Sequence, residues 1–410
     1  MTSVPGAVGK TETDGFNYLG WVAAAVLALL GLVYIANGVA RLADPNLDSD
    51  FGMRWREQRY LMSGVNPYDV SVQFNGMKPS DAEMARIAQH NLQNEPATTP
   101  SGYPPWGMAA SFMFVPPGAL PISRMAFAAI CILALGLTAR YAYLMGRHWG
   151  TGPGLLMAAT VFGMFGNAST LRLGQYGLIL NFFLLLSLVL SAKGRAIGAG
   201  LAMAVAAMKP TFSILQIGVM FARKQWISVI TVAVVCGVAS LIPWMLTGIN
   251  PIEMTQQMLR QSPSVTQGDT GLLGLARLVM PYPVATASLG LTSLVIALAA
   301  GWRYRHSSAL VAVSVAAIMG RLFMYHRQYD NVMLMFPLLT LGLLALTTRK
   351  RWAWIVFVVF GLSLWVPIPL TAYSPPVVVA LSALWIAGGC VICWQARLVP
   401  PLDQLPRRAG

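Results

Sequence analysis

Runs of continuous Leu, Ala and Val recur along this chain, beginning with Leu19–Ala40. About 20 mostly apolar residues suffice to cross a bilayer. In lipid, only helices and closed barrels satisfy their own backbone. A barrel would need ten-residue strands of alternating polarity, and these runs do not alternate. Charged residues are 10% of the chain, against about 25% in soluble domains. The sequence therefore predicts an all-α polytopic membrane protein embedded in a lipid bilayer. Residues 1–16 are polar, and the run behind them is too long for a signal-peptide core, so it reads as the first span.

Twelve spans are predicted, at about 17–40, 120–146, 150–170, 175–192, 196–208, 211–222, 226–246, 283–301, 308–322, 331–347, 352–370 and 374–396. Residues 105–118 read either as a short span or as a helix dipping into the outer leaflet. Lys209-Pro210 reads as a break at membrane depth. Basic residues are concentrated in alternate loops: Arg140 and Arg147, Lys193 and Arg195, Arg223 and Lys224, Arg303 and Arg305, and Arg349-Lys350-Arg351. Lys and Arg accumulate on the cytoplasmic side, so these loops and both termini are expected there. The protein is then a multi-pass component of the plasma (inner) membrane. Residues 1–410 form one transmembrane domain, with outer loops at 42–104 and 247–282. No internal repeat is apparent.

The net charge of +14 follows from those inner loops rather than from a nucleic-acid partner, and none is expected. Cys131, Cys236, Cys390 and Cys393 all fall in apolar segments. The CxxC spacing of the last two has no second pair or His beside it, so they read as small core residues.

The acids are unevenly placed. Of fourteen, eight lie between Asp44 and Glu95, and only Glu253, Asp269 and Asp330 occur from 105 to 400. Carboxylates at a membrane edge are costly, which draws attention to Asp48-Ser49-Asp50 just beyond the first span. Asp48, Ser49 or Asp50 can cap a helix running to about Ser63, which Gly64 would end before a turn at Asn66-Pro67-Tyr68-Asp69. Arg54 stands one turn after Asp50, where an i,i+4 ion pair is possible. Tyr103 and Trp106 mark the chain's re-entry into the membrane. Arg172 and Gln175 lie in a short outer turn, Lys209 precedes Pro210, and Arg321, Tyr325, His326, Arg327, Gln328 and Asp330 form a late polar cluster. Cations kept outside against the general trend point to an anionic ligand.

A carboxylate and a set of cations at one membrane face suit transfer from a phosphate-activated donor. An Asp accepts the proton of the acceptor hydroxyl, and Arg, Lys and His stabilise the departing phosphate. No cofactor and no metal are expected, because a chain this thin in acids does not supply a multi-carboxylate site.

Asp50-Phe51, Gly64-Val-Asn-Pro-Tyr-Asp69, Tyr103-Pro-Pro, Gly174-Gln175, Lys209-Pro210 and Tyr329-Asp330, in that order, resemble the GT-C glycosyltransferases of family 87. These include polyprenyl-phosphate-mannose-dependent α-mannosyltransferases and related arabinofuranosyltransferases. The resemblance implies a GT-C fold, an outward-facing site, a polyprenyl-phosphate sugar donor, a glycolipid or glycan acceptor of the cell envelope, and inverting transfer. It also implies an Asp base after the first span, which matches Asp50, with Asp48 as its rival. Arg172, Lys209, His326 and Arg327 are then expected to hold the donor phosphate. Asp48, Arg54, Tyr68, Tyr103, Gln175, Tyr325 and Asp330 would line the pocket. Two Arg within Phe51-Gly-Met-Arg-Trp-Arg56 depart from the family's aromatics and small residues. Mannose is the expected sugar and arabinofuranose the alternative. Two rival readings are a secondary transporter of an anionic solute and a scaffold of an envelope complex.

Overall fold

The computed structural model describes residues 10–45, 49–71, 81–89, 102–265, 270–370 and 374–402. Asp48 lies outside these residues. The described chain is helical throughout. From the N-terminus it forms α1 (Lys10–Ala43), α2 (Asp50–Met62), α3 (Pro67–Ser71), α4 (Asp81–Gln89), α5 (Pro105–Ser111), α6 (Leu120–Gly146), α7 (Thr151–Phe162), α8 (Phe165–Leu173), α9 (Gly177–Ala192) and α10 (Ala196–Ala206). It continues with α11 (Pro210–Ala222), α12 (Trp226–Thr247), α13 (Pro251–Val265), α14 (Leu272–Ala276), α15 (Tyr282–Arg303), α16 (Ala309–Phe323), a 3-10 turn at Gln328–Leu334, α17 (Met335–Thr348), α18 (Arg351–Trp365) and α19 (Pro375–Trp394).

Each of the twelve predicted segments falls on an apolar helix, but their lengths differ. Six are long and apolar enough to cross a membrane, or seven if α7 and α8, bent by 40° at their junction, act as one span. The others are shorter. The eleven residues of α10 rise about 16 Å at 1.5 Å per residue, roughly half of a hydrocarbon core. Lys209-Pro210 does break the chain: proline at the first position of α11 has no N–H with which to continue α10. The seven residues of α5 are far too few for a span.

Burial separates the centre of the bundle from its rim. In the segment 328–348, 83% of the most apolar window is buried, against 17% in α12. Every residue from Met335 to Leu346 on α17 is buried, whereas α12 turns Ile230, Val234, Val238 and Leu241 outward. Apolar side chains outside a bundle face lipid in a membrane protein, so the all-round apolarity of both helices has two different causes. On the inner face of α1, Gly31 sits against the backbone of Phe162 and Gly38 against Ala168. Small residues at such contacts allow helix backbones to approach where lipid supplies no hydrophobic drive.

The basic segments around Arg223, Arg303 and Lys350 meet. Arg223 donates to the carbonyls of Tyr304 (2.7 Å) and Ser307 (3.2 Å), the Tyr304 hydroxyl reaches Cys393 O (3.3 Å), and Lys224 lies over the Trp302 ring. Trp352 packs on Trp394 beside them.

Candidate active site

The pieces singled out in the sequence converge, and glycine is the reason for the first contact. Gly174 ends α8 in the left-handed conformation, φ 67°. A Cβ there would lie 3.0 Å from the Cα of Phe51. Only a residue without a side chain lets this turn press against the start of α2. The next residue, Gln175, then donates from Nε2 to Oδ2 of Asp50.

Asp50 occupies the first position of α2, and Ser49 takes the N-cap backbone conformation without a side-chain cap bond. The expected capping role of Asp50 is thus replaced by the contact with Gln175. The α2 helix ends at Met62, close to the predicted Ser63, and Gly64 follows with φ 74°. Inside it, Arg54 pairs with Glu57 at 2.7 Å, both buried. Glu57 was not singled out from the sequence, although its i,i+3 spacing from Arg54 was visible there. The expected turn at 66–69 is the cap and first turn of α3, with Asn66 Nδ2 donating to Asp69 at 2.7 Å.

Tyr103 is locked from several sides. Its hydroxyl donates to Gln175 Oε1 at 3.2 Å, and its carbonyl accepts from the fully buried Tyr68 hydroxyl. The Arg54 guanidinium lies 4.7 Å from its ring centroid, and Tyr176 packs edge-on at 5.5 Å. Burial, opposed by Arg54, raises the Tyr103 phenol well above its ordinary range, so it remains a donor. Beyond Tyr103, Trp106 Nε1 donates to Ala207 O at 2.9 Å, and Gly107 abuts Met208 O. This seats α5 on the break between α10 and α11.

At that break Lys209 Nζ reaches Asp330 Oδ1 at 2.6 Å. His326 Nδ1 lies 3.0 Å from the other carboxylate oxygen, which also accepts from the backbone N–H of Arg327 at 3.2 Å. Asp330 is 1% exposed and His326 wholly buried. Burial, aided by the cations Lys209 and Arg321, lowers the His326 imidazole below its ordinary value against the pull of Asp330. Nε2 on the other side of the ring lies 3.3 Å from the Thr211 carbonyl, so each ring nitrogen faces an acceptor. The Arg327 guanidinium donates to the Tyr325 hydroxyl at 2.8 Å. Burial raises the Tyr325 phenol to about 12 despite that cation. The 3-10 turn is fixed in turn by Thr170 donating to Tyr329 O (3.1 Å) and Asn181 to Val332 O (2.7 Å).

Two of the four expected phosphate-holding cations are therefore engaged by a carboxylate. His326 has no exposed surface and orients Asp330. Lys209 is held by Asp330, with part of its side chain still exposed. Arg172, one turn from Gln175 on α8, is exposed, and Arg327 is half-buried. The charge of Asp50 acts on Tyr325 and Arg327, so the α2–α8 contact and the late cluster share one region. Tyr68 and Asp330, expected to line a pocket, are both buried.

A family model, glycosyltransferase family 87, matches residues 103–325, more than half of the 410-residue chain. The chain belongs to glycosyltransferase family 87. The matched stretch of this glycosyltransferase includes Tyr103, Arg172, Gln175, Lys209 and Tyr325. It ends before His326, Arg327 and Asp330, and begins after Asp50, so those four enter through geometry. No curated protein and no solved structure matches the chain.

Proposed function

We propose that this membrane glycosyltransferase transfers a sugar, mannose in the first instance, from a polyprenyl-phosphate donor to a glycolipid or glycan acceptor, with Asp50 as general base. The observation that carries this reading is the half-exposed Asp50 carboxylate, its Oδ2 held by Gln175 and its charge acting on Arg327. In the proposed step the acceptor hydroxyl oxygen bonds to the anomeric carbon as the bond from that carbon to the phosphate oxygen breaks. The hydroxyl proton passes to Asp50, and the electron pair leaves with polyprenyl phosphate. Attack opposite the leaving group inverts the anomeric configuration. Phosphate is a good leaving group, and Arg172, Arg327 and the exposed part of Lys209 supply charge to receive it.

A lipid carrier suits this arrangement because it presents phosphate at headgroup depth while its tail stays in the bilayer. On this reading the fold is GT-C, the site faces outward and both termini are cytoplasmic, in the plasma membrane. Family membership weighs against a transporter of an anionic solute. Arabinofuranose remains the alternative sugar.

The test uses purified protein with polyprenyl-phosphate mannose, polyprenyl-phosphate arabinofuranose, or GDP-mannose as donor and a short alkyl mannoside as acceptor. Transfer from a lipid-linked donor alone is expected. Asp50→Asn keeps size and insertion but should lower turnover at least ~100-fold, the scale for a lost general base; Asp48→Asn should be much milder. Transfer straight from the nucleotide sugar would overturn the donor assignment.

A further inference from the structure

We propose that Gln175 is the positioning residue for the Asp50 carboxylate and that Tyr103 holds the far end of the Gln175 amide in place. This rests on Asp50 being the base. A carboxamide has a donor end and an acceptor end of nearly equal shape. Turned the wrong way, Gln175 would aim its oxygen at a carboxylate and repel it. The carboxylate, an acceptor only, takes the Nε2 end, and the Tyr103 hydroxyl, able to donate or accept, supports the orientation that results. The hydroxyl proton goes to Gln175 Oε1 at 3.2 Å, and Nε2 meets Asp50 Oδ2.

The Tyr103 hydroxyl is itself placed by independent contacts. Arg54 lies over its ring, Tyr176 meets the ring edge-on, and Tyr68 holds its backbone carbonyl. Gln175 is fixed from the other side, because the left-handed turn at Gly174 leaves its backbone against Phe51. The chain of donors therefore runs in one direction, from Tyr103 through Gln175 to Asp50. It occupies Oδ2 and leaves Oδ1 for the acceptor hydroxyl.

The chemistry favours an amide here over a cation. A neutral donor favours the ionised carboxylate and fixes its plane. A Lys or Arg in the same place would stabilise the anion further and weaken it as a base. This chain has cations within a turn on either side of the contact, Arg54 and Arg172, yet an amide makes it.

The test combines a substrate-free measurement with kinetics. The infrared band of the protonated Asp50 carboxyl, assigned by its loss in Asp50→Asn, is titrated in wild type, Gln175→Leu, Gln175→Glu and Tyr103→Phe. The midpoint is expected to rise by about one pH unit in Gln175→Leu, the scale of one lost hydrogen bond to a charged form. It should rise further in Gln175→Glu, where a second carboxylate adds repulsion. Turnover in Gln175→Leu is expected to fall about 10- to 100-fold, as when an outer hydrogen-bond partner of a reacting group is removed, with KM for either substrate nearly unchanged. Tyr103→Phe should be milder alone and add nothing in the Gln175→Leu background. An unmoved midpoint, or a raised KM with turnover intact, would make Gln175 a substrate contact and overturn the inference. Full turnover in Asp50→Asn would instead sink the base assignment, whatever the Gln175 variants do.

Discussion

Lys209 and Asp330, 121 residues apart in the chain, meet at 2.6 Å. The contact ties the break between α10 and α11 to the 3-10 turn before α17. Asp330 is almost wholly buried and Lys209 mostly so. Breaking such a pair by removing one partner leaves an uncompensated buried charge, typically at a cost of about 3–5 kcal/mol. Asp330→Asn should therefore lower the melting temperature of detergent-purified protein markedly. Lys209→Met combined with Asp330→Leu should recover much of the loss. Additive losses in the double variant would show that the two side chains are not coupled.

Gly174→Ala should impair the enzyme through two separable effects. The left-handed backbone at φ 67° costs a side-chain-bearing residue roughly 1–2 kcal/mol. The new Cβ also meets Phe51, which displaces Gln175 from Asp50. Asn tolerates the left-handed region better than Ala but carries the same Cβ. Gly174→Asn is thus expected to regain some stability and little activity. Recovery of full turnover in Gly174→Asn would mean that the close approach to Phe51 is dispensable.

His326 gives a pH dependence of stability. Its imidazole is lowered by burial from the ordinary 6.5, so the unfolded chain takes up the proton at a higher pH than the folded one. The unfolded state then binds more protons, and stability rises with pH through this window. The contribution is fully present above about 6.5 and is lost as pH falls toward the lower folded-state value. Melting temperature should decline on acidification through that range, and His326→Asn should flatten the decline. An unchanged slope in the variant would assign the acid sensitivity to other groups.

Sidedness is open to chemical labelling. With the four native cysteines replaced by Ala, single cysteines at Met84 and Lys350, both exposed, are expected to differ. An impermeant thiol reagent should label position 84 on intact cells and position 350 only after permeabilisation. Labelling of position 350 from outside would reverse the proposed orientation.

The helical class and the position of nearly every apolar helix were legible in the sequence, because hydrophobic run length is a local property that a bilayer reads directly. The break at Lys209-Pro210 was legible for the same local reason, a missing proline N–H. Asp50, Gln175, Tyr103, Lys209 and Asp330 could each be picked out, since polar groups stand out against an apolar background. Their partnerships could not. Whether Asp50 caps its helix or meets Gln175 depends on Gly174 pressing against Phe51 from another helix. Whether Lys209 and His326 are available to a ligand depends on Asp330, brought over by a 3-10 turn docked on Thr170 and Asn181. Nor could the sequence tell α17 from α12, both apolar all round, one buried in protein and the other facing outward. Periodicity and composition register which side chains avoid water, while long-range packing decides which of them meet.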